Sequence, residues 1–173
     1  MGNIAIRKAT TEDVIALALL CRVTFREAFG HLFEDTQNLI DYFVKSFSIS
    51  ALTDKINDNN NVYWLAFSDN LPVGYAKLIK RSPSKFIQDS QVSELQRIYV
   101  LNDFLNQKIG HQLQDAVFDE VKAIGAKHLW LSVYVDNLKA IRFYRKYAFN
   151  QLGTHTFNIL KQSFEFSVMC KAF

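Results

Sequence analysis

The sequence predicts a single α/β domain over 1–173. Its sheet is mixed and mostly antiparallel, split between strands at 92–100 and 128–135, with helices on both faces. Three observations predict it. Strand-like apolar runs at 62–67, 71–80, 149–157 and 163–171 fall in two close pairs, as antiparallel hairpins do. A helical pattern from about 106 to 124 joins two apolar strands, which is the mark of a parallel crossover. The 173 residues are 49% apolar with 15 Phe, enough for one sizeable core without metal or disulfide support.

Along the chain, Ile4 and Ile6 alternate with polar neighbours and open a first strand, which Thr10-Thr11-Glu12-Asp13 ends with caps for a helix. Val14, Leu17, Ala18, Cys21, Phe25 and Phe29 give that helix, about 12–29, an apolar face, and Gly30 offers a stop. Residues 35–46 repeat the helical period. Ser48 to Asn57 forms a further short helix, which Asp58-Asn59-Asn60-Asn61 breaks. Ser68-Asp69-Asn70 reads as a hairpin turn and Arg81 to Gln91 as a surface loop. Gly125 ends the crossover helix, Asn137 to Tyr147 is another helix, and Asn158 to Gln162 turns the closing strand pair. Neither repeats nor an internal boundary interrupt this order.

Charge and cysteine content narrow the partners. Twenty basic and 17 acidic residues are spread evenly for a net +3, which makes no case for nucleic acid. Cys21 and Cys170 sit in apolar patterns far from metal-ligand spacing, and the four His form none, so no metal is expected and the thiols read as buried and reduced. No apolar run approaches the roughly 18 residues of a membrane span. Met1-Gly2 resembles an acylation signal, but Ile6 stands where Ser or Thr is needed. The reading is a cytoplasmic protein with no membrane partner.

Two segments carry chemistry. The strand Glu94-Leu95-Gln96-Arg97-Ile98-Tyr99-Val100 places Leu95, Ile98 and Val100 at an interval of three and then two, which no regular strand puts on one face. Either both faces are buried or the strand bulges near Gln96 or Arg97. It leads to Gln107-Lys108-Ile109-Gly110-His111-Gln112, a helix start whose unpaired amides, dipole and lysine suit an anion, with Gly110 permitting close approach. In the second segment, Asn137, Ala140, Ile141 and Tyr144 share one helix stripe, with Asn137 and Tyr144 about 10 Å apart.

The first of these resembles the Q/R-x-x-G-x-G/A loop of the GNAT superfamily of acetyl-CoA-dependent N-acetyltransferases. The second, Asn137-Leu138-Lys139-Ala140-Ile141-Arg142-Phe143-Tyr144, is similar to the superfamily's N-x-x-A-I-x-F-Y helix. Thr24 to Phe29, Gly74 to Leu78, Arg97 to Val100 and His155-Thr156-Phe157 resemble the PaiA-like polyamine acetyltransferases. The resemblance implies acetyl-CoA as cosubstrate. Ile98-Tyr99-Val100 would receive the pantetheine arm through backbone groups of Ile98 and Val100. Amides from Lys108 through Gln112, in the loop that Gln107 opens, would hold the pyrophosphate, and Asn137 would bond the cosubstrate's amide portion. Tyr144 is the implied general acid and Glu94 the implied base, with the acceptor held near Phe25, Phe29, His31, Phe33, Glu34 and Asp35. A small-molecule amine, foremost a polyamine such as spermidine, is the expected acceptor. A protein N-terminus or lysine, or a non-catalytic acetyl-CoA-binding regulator, is the alternative, and a homodimer is an admitted assembly. Two positions depart from the pattern: Gln112 replaces a small loop residue, and Ala148 replaces the usual Gly before Phe149.

Overall fold

The computed structural model describes residues 2–159 and 162–173. The sheet has seven strands in the order β1-β2-β3-β4-β5-β7-β6. They are β1 Ile4–Lys8, β2 Asn61–Ser68, β3 Leu71–Ile79, β4 Val92–Val100, β5 His128–Tyr134, β6 Asn150–Ile159 and β7 Gln162–Ala172. Every neighbouring pair is antiparallel except β4 with β5. Five α-helices cover it: α1 Val14–Phe29, α2 Thr36–Phe47, α3 Ile49–Asn57, α4 Ile109–Ala123 and α5 Leu138–Lys146. The expected fold class and crossover are therefore observed. The expected turn around Asn158 to Gln162, like Met1, falls partly outside the described residues.

Local chemistry explains the boundaries. Ser48 ends α2 and caps α3, its Oγ accepting from the Ala51 amide at 3.2 Å. Asp69 and Asn70 both have positive φ, 48° and 68°, as the type I′ hairpin between β2 and β3 requires. The helix expected from about 106 starts only at Ile109, because Asn106 and Lys108 are left-handed at φ 64° and 62° and cannot continue a helix. Gly30 stays right-handed, and the chain tightens there into a 3₁₀ turn, Gly30–Leu32, instead of leaving the helix.

Two cores flank the sheet. α4 and α5 bury Ile109, Leu113, Val117, Val121 and Tyr144 against Leu78, Leu95, Leu129 and Leu131 on one face. On the other face, α1, α2 and α3 bury Leu17, Cys21, Phe25, Phe43, Phe47 and Leu52 against Tyr63, Leu65 and Tyr75. β4 is thus covered on both faces, and it also bulges. Lys77 pairs with Arg97 but Leu78 with Leu95, leaving Gln96 as the extra residue. That one insertion turns Leu95, Ile98 and Val100 to the α4 side. Of the two open readings of the strand, the bulge is the one its register shows, while Gln96 stays exposed.

α4 and α5 end in the same backbone device. At Gly125 (φ 68°) the amides of residues 125 and 126 bond back to Lys122 and Val121. At Ala148 (φ 62°) those of 148 and 149 bond to Arg145 and Tyr144. The apolar contact of this motif is present at the second, with Tyr144 and Phe149 rings 5.6 Å apart. An alanine in the left-handed region carries about 1 kcal/mol of strain that glycine lacks. Ala148→Gly is expected to stabilise the fold by up to about 1 kcal/mol, read from urea denaturation midpoints. A fall in stability would show that the strain is relieved some other way.

Candidate active site

β4 and β5 pair over three residues only, Val92 to Glu94 with His128 to Trp130, and then part. Beyond Glu94 the β5 side of β4 has lost its ladder. The Leu101 amide bonds to Val73 of β3, so by alternation Arg97 and Tyr99 turn their backbone groups to β3 while Ile98 and Val100 turn theirs into the opening. The backbone groups left open beside the gap are therefore those of Ile98 and Val100. Tyr99 turns its backbone to Tyr75 instead, and its ring packs 5.8 Å from the Tyr75 ring.

A cavity of about 330 Å³ fills the gap. Glu94, Gln96, Arg97, Ile98 and Tyr99 line one wall, Trp130, Ser132 and Tyr134 the facing wall, and Asn137, Ala140 and Tyr144 one end. Phe25, Phe29, Phe33 and Tyr42 come from the first two helices, and His155, Phe157, Phe164 and Phe166 from the closing strands. The structure thus brings Glu94, Ile98, Tyr99, Asn137 and Tyr144 together. Val100 and residues 107–112 lie outside this lining, with the loop at the start of α4. His31 and Glu34 are exposed and not in the lining, and Asp35 is occupied as the α2 cap, accepting from Gln37 at 2.8 Å.

Tyr144 is 8% exposed, and burial, with Tyr99 nearby, pushes its phenol well above the ordinary range, so it stays protonated. Glu94 is half-buried. Its Oε2 accepts from the Ser82 hydroxyl at 2.7 Å, and burial raises its carboxyl above the usual value while that bond pulls the other way. Opposite, His155 Nε2 and Ser132 Oγ are 2.9 Å apart, and Trp130, which is in register with Glu94, donates its indole N–H to the Ser82 carbonyl at 2.8 Å. Ser82, Trp130 and Ser132 are residues that sequence reasoning missed. The alternation of β5 could have placed Trp130 and Ser132 on one face, but Ser82 sits in a loop that carries no pattern.

Arg97 and Lys77 lie behind the bulge. Lys77 is 3% exposed, donates to Gln96 Oε1 at 2.7 Å, and is pushed down to about 7 by burial and by the Arg97 and Lys55 charges. Arg97 stacks over Phe47 at 4.7 Å and reaches the Tyr42 hydroxyl at 3.4 Å, with no carboxylate in ion-pair range among the described residues.

The residues fit a nucleotide-bearing thioester at the other end of the gap. A Cβ on Gly110 would meet nothing within 4 Å, so packing within the chain does not require glycine there and space is left for a ligand. The amides of Ile109, Gly110 and His111 occupy the first turn of α4, where helices have no internal acceptor. Gln112 differs from the three residues before it: its amide bonds to the Lys108 carbonyl at 3.2 Å, and its side chain is exposed. Asn137 is modified in role, since its Oδ1 caps α5 by accepting from Ala140 at 3.0 Å, leaving its NH₂ as the free group.

An opened parallel pair, a bulge beside it, donors at a helix start and a buried phenol lie along one gap in the sheet. The chain belongs to the acetyltransferase (GNAT) family, whose model matches residues 25–149. It is 22% identical over 157 residues, 91% of its own length and 90% of the relative's, to an uncharacterized N-acetyltransferase of Lactobacillus delbrueckii subsp. lactis. Its fold is similar to that of the PaiA N-acetyltransferase of Thermoplasma acidophilum in complex with coenzyme A, with TM-score 0.76, 20% identity and 99% of both chains covered. It is also similar to that of the ribosomal-protein-S18-alanine N-acetyltransferase of Escherichia coli, with TM-score 0.71, 17% identity, and 98% and 94% covered.

Gly110→Ala tests the phosphate end. The fold is expected to hold or gain stability, since alanine is the better helix former, while coenzyme A binds about tenfold more weakly by calorimetry. Unchanged affinity would remove Gly110 from the cosubstrate site.

Proposed function

We propose that the protein transfers the acetyl group of acetyl-CoA to a primary amine of a small molecule, by direct attack and without an acyl-enzyme. The observation that carries this reading is the buried, protonated Tyr144 sharing one cavity with the half-buried carboxylate of Glu94. Acetyl-CoA supplies an activated thioester. Glu94, directly or through water, takes the proton that the attacking ammonium must lose. Tyr144 gives a proton to the sulfur as the carbon–sulfur bond breaks. Ile98 and Val100 would align the arm of the cosubstrate, the first-turn amides of α4 would take its pyrophosphate, and the Asn137 NH₂ would meet one of its amides. A non-catalytic regulator has no use for a buried acid that shares a cavity with a half-buried carboxylate.

The lining supports two readings of the acceptor. Likeness to the PaiA structure and the aromatic rings of the cavity support a polyamine, since cations are held by ring faces and by Glu94. A second reading has its own observation. Glu94 is the one carboxylate lining the cavity among the described residues, and Arg97 and Lys77 stand close by, which favours an acceptor with one ammonium and an apolar or aromatic body. Buried Cys21 and Cys170 are consistent with a reducing, cytoplasmic setting. No helix of the described residues is long and apolar enough to cross a membrane.

Release of free thiol from acetyl-CoA with a panel of spermidine, phenethylamine, amino acids and a peptide N-terminus tests the activity. The larger kcat/KM between spermidine and phenethylamine decides between the two acceptor readings, and cofactor binding without turnover on any amine would leave the regulator. Tyr144→Phe is expected to lower kcat about 10²-fold with coenzyme A affinity nearly kept. The pH profile has a definite sign. Glu94 works when ionised, and its pKa is raised, so kcat/KM should climb through a value above the ordinary carboxylate range. Tyr144 works when protonated, and its pKa is raised too, so no falling limb should come from it below about pH 10. Glu94→Gln should flatten the climb, and an unchanged profile would take the base role from Glu94.

A further inference from the structure

The outward face of α1 is apolar where a surface helix is ordinarily polar. Twelve large apolar side chains are exposed among the described residues, and six of them, Ile15, Leu19, Val23, Ile40, Val44 and Ile49, belong to α1, α2 and α3. Val23, Ile40 and Val44 also line a groove rimmed by Arg22, Arg26 and Glu27. Ile15, Leu19 and Val23 are 65%, 61% and 45% exposed, so this is a ridge standing in solvent rather than the edge of a core.

The order of residues along that ridge says what covers it. Ile15, Leu19, Val23 and Arg26 fall within a stripe about 80° wide, and Glu12 continues it one turn earlier. The positions 12, 15, 19, 23 and 26 are spaced three, four, four and three, symmetric about Leu19. The residues run acid, apolar, apolar, apolar, base. A two-fold axis through Leu19 therefore sets Leu19 on Leu19, Val23 on Ile15 and Arg26 on Glu12 of an antiparallel partner helix. Glu12 and Arg26 are both exposed, and neither makes an ion pair among the described residues. We infer that a second copy of this chain docks on α1, forming an isologous antiparallel dimer flanked by Ile40 and Val44 of α2. Self-complementary charge selects a second copy over an unrelated protein or a lipid surface, neither of which needs a ridge symmetric about its own midpoint. The inner face of the same helix carries Phe25 and Phe29 to the cavity, so pairing would also fix that wall of the site.

Sedimentation velocity of the full chain at micromolar concentration is expected to give a species of twice the 20.0 kDa chain mass. Leu19→Lys should raise the dimer dissociation constant at least about tenfold while the circular dichroism spectrum is kept, because the side chain it replaces is exposed. Glu12→Arg and Arg26→Glu should each weaken the dimer, and the two together should restore it, since the reversed charges pair again across the axis. A chain that stays monomeric, a dimer unmoved by Leu19→Lys, or a double variant no tighter than the single ones would each overturn the proposal. None of these readouts depends on catalysis.

Discussion

Everything at the site depends on where β4 stops pairing with β5. Three residues of parallel ladder hold the strands together, and from Leu95 onward the β5 side of β4 has no strand to bond. Buried backbone groups without partners are costly, so such an opening persists only if something else satisfies them. The bulge at Gln96 helps to set the geometry. It lies one residue past the parting, adds local twist, and shifts the strand so that Leu95, Ile98 and Val100 face the α4 core. The same shift leaves Glu94 and Arg97 to be presented from the strand near the cavity. One inserted residue thus separates a structural face from a chemical one.

The second constraint is charge in a confined space. Arg97, Lys77 and Lys55 lie near one another on the α1 side of the sheet, and burial together with the Arg97 charge holds Lys77 down to about 7. Glu94 answers part of this field, and Arg97 is otherwise accommodated by the Phe47 ring and the Tyr42 hydroxyl. A positive neighbourhood eases ionisation of Glu94, which burial opposes. The carboxylate is therefore poised by opposing influences, the condition under which a carboxyl can accept a proton from an ammonium and release it again.

Much of this was legible in sequence because it rests on local pattern. Helix periods, the Ser48 cap, the turn at Asp69-Asn70 and the odd interval from Leu95 to Ile98 are written within a few residues of the features they make. Other features are not local. The Asn137 amide reads from sequence as a free ligand group, yet a position before a helix draws an amide oxygen to the backbone, and in the folded chain that oxygen accepts from Ala140. Gln112 reads as an added donor, but its amide is the first that the helix itself consumes once α4 starts at Ile109. Ser82 reaches Glu94 from a loop that periodicity cannot place, and His155 meets Ser132 only because β6, β7 and β5 lie side by side.

Ala148 shows why a locally unfavourable residue can sit beside a buried phenol that must be held in place. The left-handed turn at 148 lets the Phe149 amide reach the Tyr144 carbonyl and brings the Phe149 ring against the Tyr144 ring. The catalytic candidate is thereby held at both ends of its helix, by the Asn137 cap at the start and by this reversal at the finish. α5 spans only nine residues, too short to be stable by propensity alone, so its position must come from these caps and from packing. Strain at 148 is tolerable because the contacts that the turn creates are the ones that fix the phenol. The helix end is thus a structural element whose geometry fixes where the Tyr144 phenol sits.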